Sequence, residues 1–317
     1  MKFRRSPPDE TDSLKRIVEY VNAVEGGDFS KLLPETSAGD VGEIERGLNR
    51  LVRRVKESRA GQEEQRVLQR ELKVSRMIQS KLLPSSAPIV PGLEILCLYR
   101  PALQIGGDYY DFIEVDRDHL GIVIADVSGK SVSGAMLMTI ARNSLRSQAM
   151  LTLSPAEVLE RTQRLLLPNM MPQFFVSIFY GVLDKRTLKL VCANAGHLPL
   201  LVYRHEKSSC EWVLPKGIAV GLCRNGELPV ASEEVEVPLE KGDLAFFYTD
   251  GISEAVSSGG RPFGRDRLAE VARASAWKGG RVFFTTLERE LAAFSGDLPQ
   301  IDDMTAVAVR RNQDTAP

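Results

Sequence analysis

Apolar residues before about residue 84 recur at the three- and four-residue spacings of amphipathic helices. A first helical face is formed by Leu14, Ile17, Val18 and Val21. A second set alternates its spacing as a heptad seam does: Val41, Ile44, Leu48, Leu51 and Val55. Strong helix formers then fill residues 62–83, and Pro84 with the serines after it ends that helix. The pattern predicts an N-terminal region made of helices.

Beyond Pro91 the pattern changes to short apolar segments bounded by turn residues, which is typical of strands. Strands are predicted at residues 93–99, 109–115, 119–125, 174–183, 188–193, 198–203, 211–214, 233–237, 244–248 and 304–310. Helices are predicted at residues 133–149, from 155 onward, and at about 265–275 and 281–294. Because strands and helices come in separate runs and do not alternate strictly, the sequence favours an α+β domain built in layers.

Composition narrows the class of protein. The 317 residues suit about two domains, and 43% hydrophobic with 26% charged residues is typical of a globular chain. Lys and Arg number 41 against 42 for Asp and Glu, so a generally basic nucleic-acid binder is not expected. No apolar stretch reaches the roughly 18 residues of a membrane helix, and no signal peptide is recognisable. We therefore expect a cytoplasmic protein.

The few histidines and cysteines limit the metal chemistry that the chain can perform. There are three histidines and four cysteines, and no two cysteines form a CxxC pair. The cysteines lie in or beside apolar runs, which is typical of reduced, buried thiols. Any metal site would therefore depend on carboxylates.

Several aspartates lie where an apolar strand meets a turn, often beside glycine. They are Asp108, Asp126, Asp250 and the adjacent pair Asp302 and Asp303. One such residue is usually a turn former, but a repeated pattern suggests that the carboxylates converge. Two unit charges 4 Å apart repel by about 4 kcal/mol at an effective dielectric constant of 20. Converging carboxylates must therefore either take up protons or bind cations.

Oxygen ligands of this kind suit Mg²⁺ or Mn²⁺ better than Zn²⁺. A pair of such ions about 3.5–4 Å apart can hold a phosphoryl group and supply a hydroxide near neutral pH. The sequence has no P-loop, no G-x-S-x-G motif and no Cys-x5-Arg motif that would supply a different chemistry. The residues themselves favour metal-dependent phosphoryl hydrolysis.

Seven ordered motifs, between about residues 75 and 310, resemble the bacterial PPM-type (protein phosphatase 2C-like) serine/threonine phosphatases of the RsbU and sporulation-phosphatase group. The motifs are Arg100-Pro101-Ala102, Gly106-Gly107-Asp108-Tyr109-Tyr110-Asp111, Asp126-Val127-Ser128-Gly129-Lys130, Asn194-Ala195-Gly196-His197, residues 248–255 (YTDGISEA), Phe263-Gly264 and Asp302-Asp303-Met304-Thr305. The resemblance implies an α-β-β-α sandwich with two Mn²⁺ or Mg²⁺ ions at one end of its sheets.

The resemblance also assigns roles to individual residues. Asp126 would bridge the two ions, the carbonyl of Val127 would bind the second ion, and Asp108 would support it. Asp250 and Asp302 would hold the first ion, with Asp303 as the alternative to Asp302. A metal-bound water held by Asp126 and Asp250 would be the nucleophile. The implied substrate is a phosphoserine or phosphothreonine protein, typically an anti-anti-sigma (STAS-type) protein of a partner-switching pathway.

The N-terminal region resembles a HAMP linker at residues 13–58, although the usual proline near its start is absent. We expect a disordered segment at residues 1–12, a HAMP-like helical unit at 13–59, a connecting signalling helix at 60–83 and the phosphatase domain at 84–312. HAMP units usually follow a membrane helix, so the chain could also be the cytoplasmic part of a membrane-anchored receptor. Gly-Gly-Asp-Phe at 26–29 is interpreted as a helix stop.

Two alternatives stay open at this point. The narrow apolar seams suggest homodimerisation through residues 13–80, but the same helices could instead pack on their own catalytic domain. Ser131 and Ser133 replace small or glycine residues of the family pattern, which allows a degenerate phosphatase that acts as a non-catalytic scaffold.

Three residues within the motifs are further candidates for contact with phosphate or substrate. His197 could contact phosphate or be a structural hydrogen-bonding residue. Lys130 could approach a phosphate or form a surface salt bridge, and Arg100 could contact substrate.

Overall fold

A computed structural model describes residues 10–35, 39–103, 105–129, 132–223, 230–231 and 233–313. The chain divides into two compact units, Met1–Glu71 and Leu72–Pro317. No helix within these described ranges is long and apolar enough to cross a membrane.

The N-terminal unit contains helix α1 (Glu10–Glu25) and most of helix α2 (Gly39–Leu82). Residues 10–12, expected to be disordered, already belong to α1, while residues 1–9 lie outside the described part. Helix α2 is continuous for 44 residues, so the heptad segment and the connecting helix predicted separately form one element. The domain boundary proposed at residue 59 therefore falls inside a helix.

Asn49 fixes the connector between the two helices. Its side chain is buried, accepts a hydrogen bond from the Leu33 amide and donates one to the Leu33 carbonyl, both at 2.9 Å. It also donates to Glu35. The pairing satisfies a backbone donor and acceptor that would otherwise need water.

The heptad seam does not form the buried face of α2 within this unit. The face buried there contains Val52 and Asn49, whereas Ile44, Leu51 and Val55 are exposed by 47%, 59% and 37%. The seam is therefore an apolar surface that the single chain leaves in contact with solvent.

Within its described residues, the second unit contains ten strands and five further α-helices. The strands are β1 (Leu93–Arg100), β2 (Tyr109–Glu114), β3 (His119–Val127), β4 (Val176–Asp184), β5 (Lys189–Ala195), β6 (Leu200–Arg204), β7 (Ser209–Val213), β8 (Val235–Pro238), β9 (Leu244–Tyr248) and β10 (Met304–Arg311). The helices are α3 (Val132–Ala149), α4 (Pro155–Leu166), α5 (Asp250–Ser253), α6 (Gly264–Ser275) and α7 (Gly280–Ser295). All the predicted strands and helices of this unit are confirmed; the short α5 was not predicted.

The strands form two antiparallel five-stranded sheets, with orders β1-β10-β9-β6-β7 and β2-β3-β4-β5-β8. Helices α6 and α7 pack on the first sheet, and α3 and α4 pack on the second. The predicted α+β architecture, an α-β-β-α sandwich, is thereby confirmed for this unit.

Strand β9 shows why the sequences of the central strands are continuously apolar. Ala245 and Phe247 belong to the core between the sheets, whereas Phe246 and Tyr248 belong to the core under α6 and α7. Both faces of the strand are buried, so alternation between apolar and polar residues disappears.

The strand pairing brings the motif-bearing strand ends to one edge of the sandwich. In the first sheet the end of β1 pairs with the start of β10, where Arg100 lies opposite Met304. In the second sheet the start of β2 pairs with the end of β3, where Tyr109 lies opposite Ala125. The aspartates before β2 and β10 and those at the ends of β3 and β9 therefore lie at the same edge.

Candidate active site and metal centre

A small cleft of about 120 Å³ opens at this edge. Three of its lining residues are acidic, namely Asp126, Asp302 and Asp303, and the others come mainly from the turns before β2 and after β3. The cleft therefore lies where the motifs from distant parts of the sequence meet.

Asp126 is the electrostatic centre of the cleft. Burial raises its pKa to about 7, and the negative charges of Asp250, Asp302 and Asp303 add to the increase. Like charges and desolvation both disfavour ionisation of a carboxyl group. The strand-end aspartates therefore lie close enough together for their charges to act on Asp126, as the sequence pattern predicted.

Asp108 lies deeper than Asp126 and is held by two threonines. Its Oδ2 atom accepts hydrogen bonds from the hydroxyls of Thr249 at 2.7 Å and Thr305 at 2.5 Å. Its side chain is almost fully buried, and burial followed by the charge of Asp126 raises its pKa well above the ordinary value. The two hydroxyls partly oppose that increase and fix the carboxyl group in one orientation.

Asp302 and Asp303 have different surroundings. The Asp303 carboxylate accepts hydrogen bonds from the Ala102 amide at 2.7 Å and the Gly107 amide at 2.8 Å. Asp303 is buried, whereas Asp302 is half-buried. Asp303 thus fixes the loop before β2, and each of its carboxylate oxygens accepts a hydrogen bond from a backbone amide.

Glycine is required where this loop meets Asp303 and the end of β3. A Cβ atom on Gly106 would lie 2.2 Å from Oδ2 of Asp303, and one on Gly107 would lie 2.8 Å from the carbonyl oxygen of Val127. No side chain fits at such distances. The Gly-Gly pair of the motif therefore allows the backbone to pass between an acid and a carbonyl that both face the cleft.

The same loop is bound from the other side by Gln79 of α2. The Gln79 side chain donates to the Gly106 carbonyl at 2.6 Å and accepts from the Gly106 amide at 3.2 Å, and it is buried. Residue 79 belongs to the second unit, so this contact is internal to it. The end of α2 therefore fixes the backbone that positions Asp303 and Asp108.

His197 is a buried hydrogen-bonding residue behind the cleft and does not line it. Its Nδ1 atom lies 2.8 Å from the Ser177 hydroxyl and its Nε2 atom lies 3.2 Å from the Tyr248 carbonyl. Burial lowers its pKa to about 4, so the neutral ring donates to Tyr248 and accepts from Ser177. This geometry agrees with the structural reading of His197.

Arg100 is not among the residues that line the cleft. The Arg100 guanidinium is paired with Glu288 at 2.5 Å and lines a neighbouring groove. Lys130 and Ser131 lie outside the described residues, and Ser133 lies half-buried in the first turn of α3.

The charges of the carboxylates act on one another, but their side chains are not arranged as a complete set of metal ligands. Across the described part of the chain, no three or more His, Cys, Asp or Glu side chains are grouped so that they could hold a metal ion. The donor chemistry nevertheless fits hard cations, because the acids repel one another and offer only oxygen atoms.

Sequence reasoning missed Thr249, Thr305, Gln79 and Ser177. Both threonines were within the quoted motifs, directly beside or near the aspartates, and their hydroxyls were the available signal. Gln79 gives no such signal, because it lies among several polar residues of a long helix.

The sequence profile of the family described as Stage II sporulation protein E (SpoIIE) matches residues 116–312. The match covers more than half of the chain. The chain belongs to the SpoIIE family. The resemblance to PPM-type phosphatases is confirmed, and with it the prediction of a phosphatase.

Among curated relatives, this SpoIIE-family chain is similar to phosphoserine phosphatase RsbU of Bacillus subtilis. The two are 26% identical over 250 residues, which cover 78% of this chain and 72% of RsbU. It is also 29% identical over 269 residues to protein IcfG of Synechocystis, but there the match spans only 42% of the relative.

Solved structures support the fold of the SpoIIE-family domain. The SiaA-PP2C domain of Pseudomonas aeruginosa has a TM-score of 0.68 and 23% identity, covering 79% of this chain and 98% of that one. The RsbU and RsbW domains of Rv1364c from Mycobacterium tuberculosis have a TM-score of 0.62 and 28% identity, and the match covers 74% of this chain and 64% of that one. RsbX in complex with magnesium has a TM-score of 0.53 and 13% identity, and the match covers 70% of this chain and 97% of that one.

We predict that Asp126→Asn does not destabilise the metal-free protein. In the unfolded chain the carboxyl loses its proton near pH 4, but in the folded protein it keeps the proton to about pH 7. The free energy of unfolding of the wild type should therefore fall as pH rises through that window. In the variant the part of this decline that Asp126 causes should disappear, while burial of Asp108 keeps its own contribution. The variant should therefore be more stable than the wild type by about 1 kcal/mol or more at pH 8. Urea titrations in a chelator measure both proteins.

Asp111→Asn is the matched control, because that buried carboxylate is paired with Arg146 at 2.6 Å and with the Tyr109 hydroxyl at 2.7 Å. The free energy of unfolding of Asp111→Asn should fall by about 1–3 kcal/mol. The fall should lie towards the lower end of that range, because Arg146 is partly exposed and solvent weakens its ion pair. A loss of stability in Asp126→Asn as large as that of the control would contradict the repulsion described above.

Proposed function

We propose that this chain is a metal-dependent protein phosphatase that hydrolyses phosphoserine or phosphothreonine on a partner protein. The observation that carries the proposal is that Asp126 and Asp302 line one cleft of a SpoIIE-family fold, with Asp250 near enough for its charge to raise the pKa of Asp126. RsbU, a named phosphoserine phosphatase, supports it as a relative.

Two Mn²⁺ or Mg²⁺ ions would be held by Asp126, Asp250 and Asp302, with the Val127 carbonyl contributing to the second site. When bound, such ions lower the pKa of a water molecule towards neutrality and neutralise charge on a phosphoryl group. Asp126 lines the cleft and has a raised pKa, which supports its assignment as the residue between the two ions. The magnesium complex of RsbX, which shares the fold, supports a hard cation.

The two buried carboxylates have supporting roles in this proposal. Asp108 is held by Thr249 and Thr305 behind the cleft, where it orients the surrounding oxygens. Asp303 uses both carboxylate oxygens on backbone amides, so Asp302 is the better ligand of the pair.

The expected substrate is a phosphorylated partner-switching protein, of the anti-anti-sigma (STAS) type. The relatives RsbU and the RsbU and RsbW domains of Rv1364c support this class by their similarity. The cytoplasmic location expected from the sequence stays a prediction.

Regulation would reach the site through α2. That helix runs without interruption from Gly39–Leu82, and Gln79 near its end binds both backbone groups of Gly106. A change in the N-terminal helices that moves the end of α2 would therefore release the loop that carries Asp108 and contacts Asp303.

We further propose that a second copy of the chain pairs with the heptad seam of α2, in the manner of a HAMP-like unit. The support is the exposure of Ile44, Leu51 and Val55 along one line of the helix.

The first activity prediction separates the two adjacent aspartates. The wild type should hydrolyse p-nitrophenyl phosphate with Mn²⁺ and lose that activity in chelator. Asp302→Asn should raise the Mn²⁺ concentration for half-maximal activity by at least about a hundredfold, because losing even the hydrogen-bonding partner of a metal ligand can cost that much. Asp303→Asn should instead lower the free energy of unfolding by about 1–3 kcal/mol.

The opposite pattern in the two variants would make Asp303 the ligand. Absence of Mn²⁺-dependent turnover in the wild type would favour the non-catalytic scaffold, for which the described residues offer no specific support.

A second prediction concerns Gln79. Gln79→Leu removes two hydrogen bonds to Gly106, so the Mn²⁺ requirement should rise by about tenfold, which corresponds to about 1.4 kcal/mol. Gln69→Leu, an exposed glutamine of the same helix, is the control. Titration of p-nitrophenyl phosphate turnover with Mn²⁺ measures the change. If removal of residues 1–75 leaves turnover and its Mn²⁺ dependence unaltered, regulation through α2 is excluded.

A third prediction concerns pairing. Leu51→Lys should weaken self-association by about tenfold or more, because it places a charge in the apolar seam. Arg53→Ser, off the seam on the same helix, should have little effect. Sedimentation velocity over a concentration series measures both, and a wild-type protein that is monomeric at high micromolar concentration would refute the dimer.

A further inference from the structure

A second cavity, of about 370 Å³, lies directly beside the catalytic cleft. The two share Ile301 and Asp302 in their linings. Its walls come from the end of α7, the residues after α5 and the segment 296–301 that leads into β10. We call this cavity the side groove. Because it shares a wall with the cleft, a chain with its phosphate in the cleft can continue into the side groove.

The segment that forms the groove wall is held in place by polar contacts. The Gln300 side chain donates to the Arg100 carbonyl at 2.8 Å and to the Asp302 carbonyl at 2.7 Å. The Leu298 amide donates to the Ser295 carbonyl at 3.2 Å. These contacts leave two apolar side chains turned outward, with Leu298 exposed by 41% and Ile301 by 60%.

The lining of the catalytic cleft also includes an exposed apolar side chain. Leu103 lines the cleft and is exposed by 55%. Among the described residues that line the cleft there is no Lys or Arg, and three of them are aspartates. In the side groove, Arg100 is already paired with Glu288. The fixed side chains around the cleft therefore offer a protein substrate apolar contact and little attraction for further negative charge.

From this combination we propose that the side groove binds apolar residues that flank the phosphoserine of the protein substrate. The inference rests on the phosphatase function proposed above and adds a preference for apolar residues next to the phosphoserine. A substrate segment with apolar side chains next to the phosphoserine buries Leu298 and Ile301, whereas a polar or acidic segment of the same length gains no such burial.

The test uses two phosphoserine peptides of equal length and charge, one with Leu, Ile and Val on both sides of the phosphoserine and one with Ser, Thr and Asn there. For each enzyme, kcat/KM on a peptide is divided by its kcat/KM on p-nitrophenyl phosphate, which reports the metal site alone. The wild type should favour the apolar peptide by about tenfold, the scale of small differences in apolar contact. The difference should lie mainly in KM, because the flanking contact is the same in ground and transition states.

Leu298→Asn and Ile301→Thr should each reduce that preference several-fold. Leu153→Asn is the matched control, because Leu153 has a similar exposure of 44% but follows the far end of α3. The 18 residues of α3, a helix about 27 Å long, lie between the strand that carries Asp126 and that position. The control should keep the wild-type preference.

Equal use of the two peptides by the wild type, or the same preference in all variants, would overturn the inference while leaving the phosphatase function intact. A variant that loses peptide and p-nitrophenyl phosphate turnover in equal proportion would assign its residue to the metal site and also overturn it. Absence of turnover of every substrate by the wild type would instead refute the proposed function, and the groove assignment with it.

Discussion

Mutual repulsion among carboxylates at one edge of the two sheets is the constraint on which the site depends. Asp126 lies close enough to Asp250, Asp302 and Asp303 for their charges to raise its pKa, and burial raises it further. Such an arrangement disfavours the folded, metal-free protein at neutral pH. It is tolerated where the stability lost is regained from a bound cation, which binds the folded state and stabilises it by mass action.

Hydrogen bonds hold two of these acids in fixed positions. Thr249 and Thr305 hold Asp108, and two backbone amides hold Asp303. These hydrogen bonds satisfy carboxylates that burial would otherwise make costly. Glycines at 106 and 107 allow the loop to approach closely enough for this, since any side chain there would collide with Asp303 or Val127.

Two surfaces extend the site beyond its carboxylates. On one side, Gln79 connects the end of a 44-residue helix to the loop before β2, so the geometry of the acids depends on an element that begins far away in the sequence. On the other side, Leu298 and Ile301 stand exposed beside the cleft on a segment fixed by Gln300. The first surface supports the proposed regulation, and the second supports the proposed substrate preference.

The sequence by itself determined the ten strands, the large helices of the second unit and the strand-end aspartates, because periodic burial and glycine-flanked acids are local properties. Tertiary structure decided what those acids contact. Thr249 is 141 residues from Asp108 and Thr305 is 197 residues away, and only the register of the sheets brings their hydroxyls together. The same applies to the difference between Asp302 and Asp303, adjacent residues that the sequence could not separate. It applies also to α2, where helix propensity on both sides of residue 59 was visible but continuity through it was not.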